Sequence, residues 1–241
     1  MKAQVDRVLS LDALGLIHAD LEGMRIDATL TPGDFVVVVG RNGAGKSTLL
    51  QTVMGLLTAR SGSVSLGGQE VATMSPRERA SRMALVTSTP PRHAGITVRE
   101  TLLLAMRAAG RSDGGEAVET DMELAGIAGW ADRRLDSLSD GMAQRVMVAR
   151  AAIQSGQVIV LDEPTAFLDV IGKEDVLLQL NRLRAAGRIV VLSTHDLAAV
   201  AATGEVSHWL HLHPGKGQGS TLHEGGFDVD IVRSALRESV R

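Results

Sequence analysis

The sequence predicts an α/β protein with a mostly parallel sheet, an N-terminal antiparallel β-subdomain and an inserted α-helical subdomain. Apolar runs that suit buried strands alternate with amphipathic stretches that suit helices, at 35–57 and again at 157–196. A glycine-rich segment follows the run FVVVV. Between the two α/β portions, residues 89–138 contain no convincing strand. We therefore expect one domain over 1–241, with its core in 1–88 and 139–241 and its helical subdomain in 89–138.

The elements of the first α/β portion follow one another closely. Residues 5–11 and 24–30 favour short strands that lead to the buried strand at 35–39. After it, the pattern predicts a helix to about residue 57, a strand between glycine turns at 61–68, a short helix at 75–82 with Ser75 as its N-cap, and an apolar strand at 83–87.

The insertion and the second α/β portion differ in their periodicity. TVRETLLLAMRAA (97–109) places Val98, Leu102 and Met106 on one helical face, and 116–130 gives a second helical stretch. The chain then predicts helices at 141–156 and 170–187, strands at 157–163 and 188–196, and a tail with strands at 206–212 and 219–223 and a helix at 229–238. Parallel sheets bind ligands at the carboxyl ends of their strands, where Gly40, Asp162 and His195 all fall.

Composition limits the chemistry. Hydrophobic residues make up 44% of the 241 residues, aromatic residues only 2%, and tyrosine is absent, so the core is aliphatic and base stacking is scarce. A net charge of −3 gives no pull toward nucleic acid or anionic membranes, and the absence of cysteine excludes disulfides and thiolate chemistry. Without an apolar run of about 20 residues or the apolar core of a signal peptide, we expect a soluble, cytosolic chain.

The segment after the first buried strand, Gly40 to Ser47, matches the phosphate-binding pattern G-x-x-x-x-G-K-[ST]. Glycines let the main chain approach a ligand closely, and N–H groups at the start of the following helix favour anions. Lys46 supplies a charge for the β- and γ-phosphates, and the Ser47 hydroxyl can ligate Mg²⁺. The pattern predicts a P-loop nucleoside triphosphatase core whose nucleotide contacts are Gly40, Asn42, Gly43, Ala44, Gly45, Lys46, Ser47 and Thr48.

The run VIVLDEP (158–164) supplies the acidic groups that a phosphate loop needs. Asp162, at the end of a buried strand, can hold Mg²⁺, and Glu163 can act as general base on an attacking water. Alone, an apolar run before Asp-Glu would more often be a strand that ends at a solvated turn. The phosphate loop favours the functional interpretation.

Three further segments carry weaker signals. LSDGMAQR (138–145) places Ser139 and Gly141 at a helix N-terminus, which could bind an anion or be an ordinary N-cap. Asp169 in TAFLD precedes a helix and could likewise be an N-cap. His195 in STHD lies at a strand end, where a lone histidine is usually a surface residue.

The ordered set GRNGAGKST, LSDGMAQR, VIVLDEP, TAFLD and STHD resembles the nucleotide-binding subunit of ATP-binding cassette transporters, over almost the whole chain. The resemblance implies ATP and Mg²⁺ as cofactors and a sandwich dimer with a second copy of the chain. It implies that Ser139 and Gly141 contact the γ-phosphate in trans and that Asp169 connects the two sites. It also implies that His195 holds the γ-phosphate and orients Glu163 and water.

The form LSDG, together with EPTAFLD, resembles the branch that serves bacterial importers of iron chelates, haem and cobalamin. This implies membrane permease subunits as partners, a substrate-binding protein as an indirect partner, and a peripheral position on the cytoplasmic face of the cell membrane. The helical subdomain would dock a coupling helix of the permease. Cargo and direction of transport do not follow from this chain.

Two positions depart from the family pattern. Ser88 stands where the family has a glutamine, and serine is too short to reach Mg²⁺ and water in the same way. Either the coupling to the helical subdomain is altered or another residue substitutes. The family usually stacks adenine on an aromatic residue near the N-terminus, and the chain has Ile17 and His18 at that position. His18 stacks weakly on the base or is a solvated loop residue. Without a strong stacking residue, adenine selectivity is poor and GTP is tolerated.

Other functions compete with transport. A soluble cassette ATPase acting on nucleic acid or ribosomes is one alternative, but the single cassette, the short helical insertion and the lack of a basic patch argue against nucleic acid as a partner. An exporter subunit, or a regulatory subunit that binds ATP and barely hydrolyses it, is another. Glu163 and His195 argue against the regulatory subunit, and Ser88 argues mildly for it.

Overall fold

The computed structural model describes residues 7–17, 24–91, 95–111, 114–154, 156–213 and 220–238. The strands are β1 (Leu9–Gly15), β2 (Ile26–Leu30), β3 (Phe35–Val39), β4 (Ser61–Leu66), β5 (Gln69–Glu70), β6 (Met83–Val86), β7 (Val158–Asp162), β8 (Ile189–Ser193), β9 (His208–His211) and β10 (Thr221–Glu224). The α-helices are α1 (Lys46–Val53), α2 (Pro76–Arg82), α3 (Val98–Ala108), α4 (Gly114–Leu124), α5 (Asp140–Gln154), α6 (Val170–Ala185), α7 (Leu197–Ala201) and α8 (Val229–Glu238).

The larger sheet has six strands in the order β10-β9-β3-β8-β7-β6. Its pairs are parallel except for the antiparallel edge pair of β9 and β10. Apolar runs such as FVVVV are buried on both faces of this sheet, because alternate residues enter two different cores. Phe35, Val37 and Val39 pack on the side of α5 and α6. Val36 and Val38 pack on the opposite side, toward α1.

The smaller sheet is antiparallel, with the order β2-β1-β4-β5, and it contributes Leu9, Leu14 and Ile26 to the second core. The predicted fold class is therefore confirmed: an α/β core with a mostly parallel sheet, an antiparallel β-sheet near the N-terminus and helices between β6 and α5. The exact limits of a helical subdomain remain a prediction.

Several element bounds differ from the sequence prediction. The first strand begins at Leu9 and runs to Gly15, whereas 5–11 was predicted, and residues 5 and 6 lie outside the described residues. The helix predicted over 116–130 ends at Leu124, since Gly126 adopts a left-handed φ of 64° that a helix cannot contain. Residues 128–130 form a separate 3₁₀ turn. The short helix α7 was not predicted. None of the described helices is long and apolar enough to span a bilayer.

Candidate functional site

Four neighbouring strands end at one edge of the larger sheet. Val38 of β3 and Asp162 of β7 both pair with Ser193 of β8, so β8 ends between the other two. A cavity of about 380 Å³ opens there. It is lined by Asn42, Gly43, Ala44, Gly45, Lys46, Ser47, Thr48, Ser88, Asp162, Glu163 and His195. The strand order thus brings together candidates that lie up to 153 residues apart in the chain, from Asn42 to His195.

The loop between β3 and α1 is shaped by its glycines. Gly43 and Gly45 have φ values of 79° and 88°, in the left-handed region. A Cβ on Gly40 would lie 3.0 Å from the Ala44 Cβ and 3.2 Å from the Leu212 carbonyl oxygen, so the first glycine is needed for close packing. Gly45 is the N-cap of α1 and no side chain among the described residues caps the helix, which leaves its first N–H groups available to a ligand.

Lys46 is buried and folds back over this loop. Its ammonium donates to the carbonyl oxygens of Gly40 at 3.0 Å and Arg41 at 3.3 Å, and it lies 3.5 Å from His195 Nε2. Burial lowers the pKa of Lys46, while the negative charges of Glu163 and Asp162 act in the opposite direction. The cation therefore lies between the loop that would hold phosphates and the acidic end of β7.

The acidic pair at the end of β7 is held by β8. Ser193 Oγ donates to Asp162 Oδ1 at 2.6 Å and accepts from the N–H of Glu163 at 3.1 Å. The N–H of His195 donates to Glu163 Oε2 at 3.2 Å. Glu163 Oε1 lies 3.3 Å from His195 Nε2, yet no aligned donor reaches this buried oxygen from the described residues. One carboxylate oxygen is thus fixed and the other is left to accept a hydrogen bond in the cavity.

Ser88 lines the cavity, as its position after β6 predicts. The residue before it is tied to α5, because Gln144 Nε2 donates to the Thr87 carbonyl oxygen at 3.3 Å. Gln144 is fully buried, and its Oε1 has no donor among the described residues. The end of β6 is therefore connected to the helix that starts at the LSDGM segment.

The remaining candidates lie elsewhere. Ser139, Gly141 and Asp169 line a second cavity of about 500 Å³ that shares no residue with the first. Ser139 Oγ accepts from the N–H of Met142 at 3.3 Å and Asp169 Oδ1 accepts from the N–H of Gly172 at 2.8 Å, so both act as helix caps. A Cβ on Gly141 would lie 2.9 Å from the Phe167 carbonyl oxygen, which explains a glycine there. One copy of the chain does not bring the two sets together.

The residues of the first cavity fit a nucleotide with Mg²⁺. The uncapped start of α1, the glycine loop and the Lys46 ammonium provide donors for phosphate oxygens. No cluster of three or more histidine or acidic side chains suited to a metal occurs among the described residues. A cation held by Asp162 and Ser47 would therefore take further ligands from phosphate and water, as Mg²⁺ prefers.

Ser193 was not among the predicted site residues, and for the base the sequence offered only His18, which either stacks weakly or is a solvated loop residue. The hydroxyl of Ser193 precedes His195 in STHD, and only the pairing of β7 with β8 shows its contact with Asp162. Ile17 is 56% exposed and does not line the cavity, while His18 lies outside the described residues.

The fold and the cavity define a P-loop nucleoside triphosphatase. Its relationship to known proteins is more specific, since the sequence profile described as "ABC transporter" matches residues 24–166. The chain belongs to the ABC transporter family.

Individual relatives agree with this assignment. The iron(3+)-hydroxamate import ATP-binding protein of Bacillus subtilis is 33% identical, over 84% of this chain and 77% of the relative. The ferric enterobactin transport ATP-binding protein of Escherichia coli is 34% identical over 86% and 77%. The cobalamin import ATP-binding protein of Halobacterium salinarum is 37% identical over 80% and 50%. A solved ATP-binding subunit of an ABC transporter superposes with a TM-score of 0.80 at 26% identity, over 95% of this chain and 99% of that one. The chain is an ATPase of this family.

Proposed function

We propose that this chain is the ATP-hydrolysing subunit of an importer and that it powers uptake of an iron chelate, haem or a cobalamin-like molecule through a partner permease. The observation that carries the proposal is the single cavity in which the phosphate loop meets Lys46, Asp162, Glu163 and His195. Relatives named as importers of ferric hydroxamate, ferric enterobactin and cobalamin support the cargo class.

In the hydrolysis reaction, the chain's residues mainly position groups and balance charge. Lys46 and the N–H groups at the start of α1 neutralise the β- and γ-phosphates, and Asn42, Gly43, Ala44, Gly45 and Thr48 complete the cradle, with Gly40 packing beneath it. Ser47 and Asp162 would hold Mg²⁺, which would supply positive charge against the charge that develops on the phosphates.

Glu163 is the general base in this proposal. Its Oε2 is fixed by the His195 N–H and its Oε1 has no aligned donor among the described residues, so Oε1 can accept a proton from a water in line with the γ-phosphate. His195, whose ring is 58% exposed, can turn toward the γ-phosphate and orient that water.

The second cavity completes the site in a dimer. Ser139 and Gly141 lie at the start of α5, and Asp169 lies at the start of α6, on a surface that the first cavity does not use. In the proposed sandwich they face the γ-phosphate held by the other copy. Closure then requires two copies and two nucleotides, and phosphate release reopens them.

The proposed partners follow from the same assignment. The chain would lie on the cytoplasmic face of the cell membrane, bound to permease subunits, and a substrate-binding protein would act through the permease. Ser88 would transmit the nucleotide state with the help of Gln144, which hydrogen-bonds to the preceding residue. Because no Phe or Trp among the described residues lines the cavity, we expect GTP to be accepted alongside ATP.

Replacing Lys46 with alanine tests the nucleotide site. Loss of charge-assisted contacts to the phosphates should weaken Mg·ATP binding by roughly 10- to 100-fold. Isothermal titration calorimetry measures the affinity, and Arg77→Ala, which removes an exposed cation from α2, serves as the control. Equal affinities in the two variants would contradict the assignment of the loop.

The transport function is tested in cells. The tagged chain, purified from detergent-solubilised membranes, should bring a polytopic membrane protein with it. Uptake of one of labelled ferric hydroxamate, haem or cobalamin should fall in a strain that lacks the gene for this chain, and the wild-type gene should restore it. Recovery with nucleic acid and without a membrane protein would contradict the proposal.

A further inference from the structure

An ion pair outside the cavity joins the first turn of α6 to the residue after His195. Lys173 Nζ lies 2.6 Å from Asp196 Oδ2, and the two side chains are 31% and 30% exposed. The N–H of Lys173 donates to the Asp169 carbonyl oxygen at 3.0 Å, which places Lys173 in the first turn. A cation is unfavourable near the N-terminal end of a helix dipole. The helix itself therefore gives no reason for lysine here, whereas the tertiary partner does.

Asp196 uses both carboxylate oxygens. Its Oδ1 accepts from the N–H of Ala199 at 3.2 Å and caps α7, while Oδ2 receives the Lys173 ammonium. The hydrogen bond from Lys173 is the main cause that lowers the pKa of Asp196, so the carboxylate is ionised at neutral pH. The N–H of Asp196 donates to Thr194 Oγ1 at 2.9 Å. These bonds fix the backbone on both sides of His195.

The His195 ring depends on that backbone for its position. The side chain is 58% exposed, so little packing holds it. Its backbone N–H is bound to Glu163 Oε2 at 3.2 Å, and its ring lies near Glu163 Oε1 and Lys46 Nζ. A shift of Asp196 would therefore move the ring relative to the proposed general base.

Lys173, the other member of the ion pair, lies close to the 165–169 segment. Asp169 caps α6 four residues before Lys173, through its bond to the N–H of Gly172. The Phe167 carbonyl oxygen lies 2.9 Å from the place of a Cβ on Gly141, so this segment also contacts the start of α5. A contact that displaces the surface around Gly141 and Asp169 would therefore also displace the first turn of α6.

We propose that the Lys173–Asp196 ion pair positions His195. When the 165–169 segment docks against a second copy of the chain, the same ion pair transmits that contact to the loop that carries His195. The inference rests on the proposed function, because it assigns a role in the same hydrolysis reaction. Lys173 and Asp196 do not line the nucleotide cavity, so both are positioning residues. A partly exposed ion pair contributes little to stability, which separates this role from a purely structural one.

Kinetics of four variants test the inference. Lys173→Met keeps the apolar stem without the charge, and Asp196→Asn keeps an oxygen that can cap α7. Each should lower the kcat of ATP hydrolysis by roughly 3- to 30-fold, as expected for a coupling contact, with the KM for ATP unchanged. The double variant should be no slower than either single variant, and Lys173→Arg should recover most of the kcat. Glu174→Gln, the exposed neighbour on α6, is the control. Additive losses, or a fall in Tm that accounts for the lower kcat, would overturn the inference.

A spectroscopic measurement makes the test independent of hydrolysis. In nucleotide-free protein with ¹³C-labelled histidines, the His195 ring signal is assigned by its loss in His195→Ala. It should shift in Lys173→Met and Asp196→Asn and stay in place in Lys173→Arg and Glu174→Gln. An unshifted signal in Lys173→Met overturns the inference. If the signal shifts while the wild-type protein hydrolyses no ATP, the positioning role is supported and the proposed function fails.

Discussion

At the residue scale, Glu163 combines a strained backbone with a carboxylate oxygen, Oε1, that has no hydrogen-bond donor among the described residues. Its φ of 50° lies in the left-handed region, which costs a non-glycine residue about 1 to 3 kcal/mol. Two contacts to Ser193 hold its N–H in this conformation, at 3.2 Å to the carbonyl oxygen and 3.1 Å to Oγ. The turn points the side chain into the cavity rather than along the strand. Strain of this kind is typical of functional sites.

The change Glu163→Gln tests the role of the carboxylate as general base without altering the backbone conformation of this residue. Glutamine has the same side-chain length and leaves the backbone strain as it is, so the free energy of unfolding should change by less than about 0.5 kcal/mol. It cannot take a proton from water, and ATP hydrolysis should fall by roughly 100- to 10,000-fold while Mg·ATP still binds. Glu174→Gln is the matched control. Hydrolysis at the wild-type rate in Glu163→Gln would show that another group is the base.

At the element scale, α5 is tied to β6 by side chains rather than by packing alone. Gln144 donates to the Thr87 carbonyl oxygen, and Arg150 donates to the Leu85 carbonyl oxygen at 2.8 Å. Burial lowers the pKa of Arg150, whose cation lies deep between the helix and the strand. The helix that begins beside Gly141 and the strand that ends beside Ser88 are therefore expected to move together.

Gln144→Leu should loosen the end of β6. The Thr87 carbonyl oxygen would lose its donor, at a cost of about 0.5 to 1.5 kcal/mol in the free energy of unfolding. Hydrogen exchange of the Ser88 amide should become faster, which mass spectrometry of peptides from this region measures. Gln179→Leu on α6 is the control. If exchange in the two variants is the same, the contact does not hold the strand end.

The edge pair of β9 and β10 contains a group of histidines. Burial, and to a lesser degree the neighbouring His213 and His223, lowers the pKa of His211 from 6.5 to about 4. The ring of His211 lies 3.8 Å from that of His213, and Trp209 stacks on His223 at 3.8 Å. Leu212, the next residue after His211, packs against Gly40 at the start of the phosphate loop. Protonation of His211 would thus disturb a strand that adjoins the phosphate loop.

His211 should make stability dependent on pH. The unfolded chain takes up the proton near pH 6.5 and the native chain only near pH 4, so native stability is full above pH 6.5 and is lost as the pH falls toward 4. Between pH 7 and pH 5 the wild type should lose about 2 kcal/mol more than His211→Leu. Urea unfolding at both pH values measures the difference. Parallel pH dependence in the two proteins would refute the assignment to His211.

At the scale of the whole molecule, contiguous features could be predicted from the sequence and contacts between distant segments could not. Gly40 to Ser47 and the run before Asp162 carry their chemistry within a few residues, so their place at strand ends follows from local patterns. The contact of Ser193 with Asp162 depends on β8 lying between β3 and β7. Lys173 and Asp196 are 23 residues apart, and no periodicity connects them. The helix over 116–130 was predicted too long because the apolar pattern continues past Gly126. The left-handed conformation of that glycine ends the helix in the structure.

The two separate cavities support the proposed dimer, and an apolar patch adjoins the second cavity. Phe167, Val170 and Ile171 flank Asp169 and are 50%, 72% and 69% exposed. Apolar side chains gathered beside one site are typical of an interface. In a dimer closed through this surface they would be buried together with Ser139 and Gly141.

Ile171→Ser in a Glu163→Gln background tests this surface without the complication of turnover. Each copy would lose the burial of one isoleucine, so the Kd of the Mg·ATP-dependent dimer should rise by roughly 10- to 100-fold. Light scattering over a range of protein concentrations measures that Kd. Ile231→Ser is the matched control, since Ile231 is 55% exposed on α8, outside both cavities. Nucleotide affinity should be the same in both variants, because neither residue lines the first cavity. An unchanged dimer in Ile171→Ser would mean that two copies do not meet at this patch.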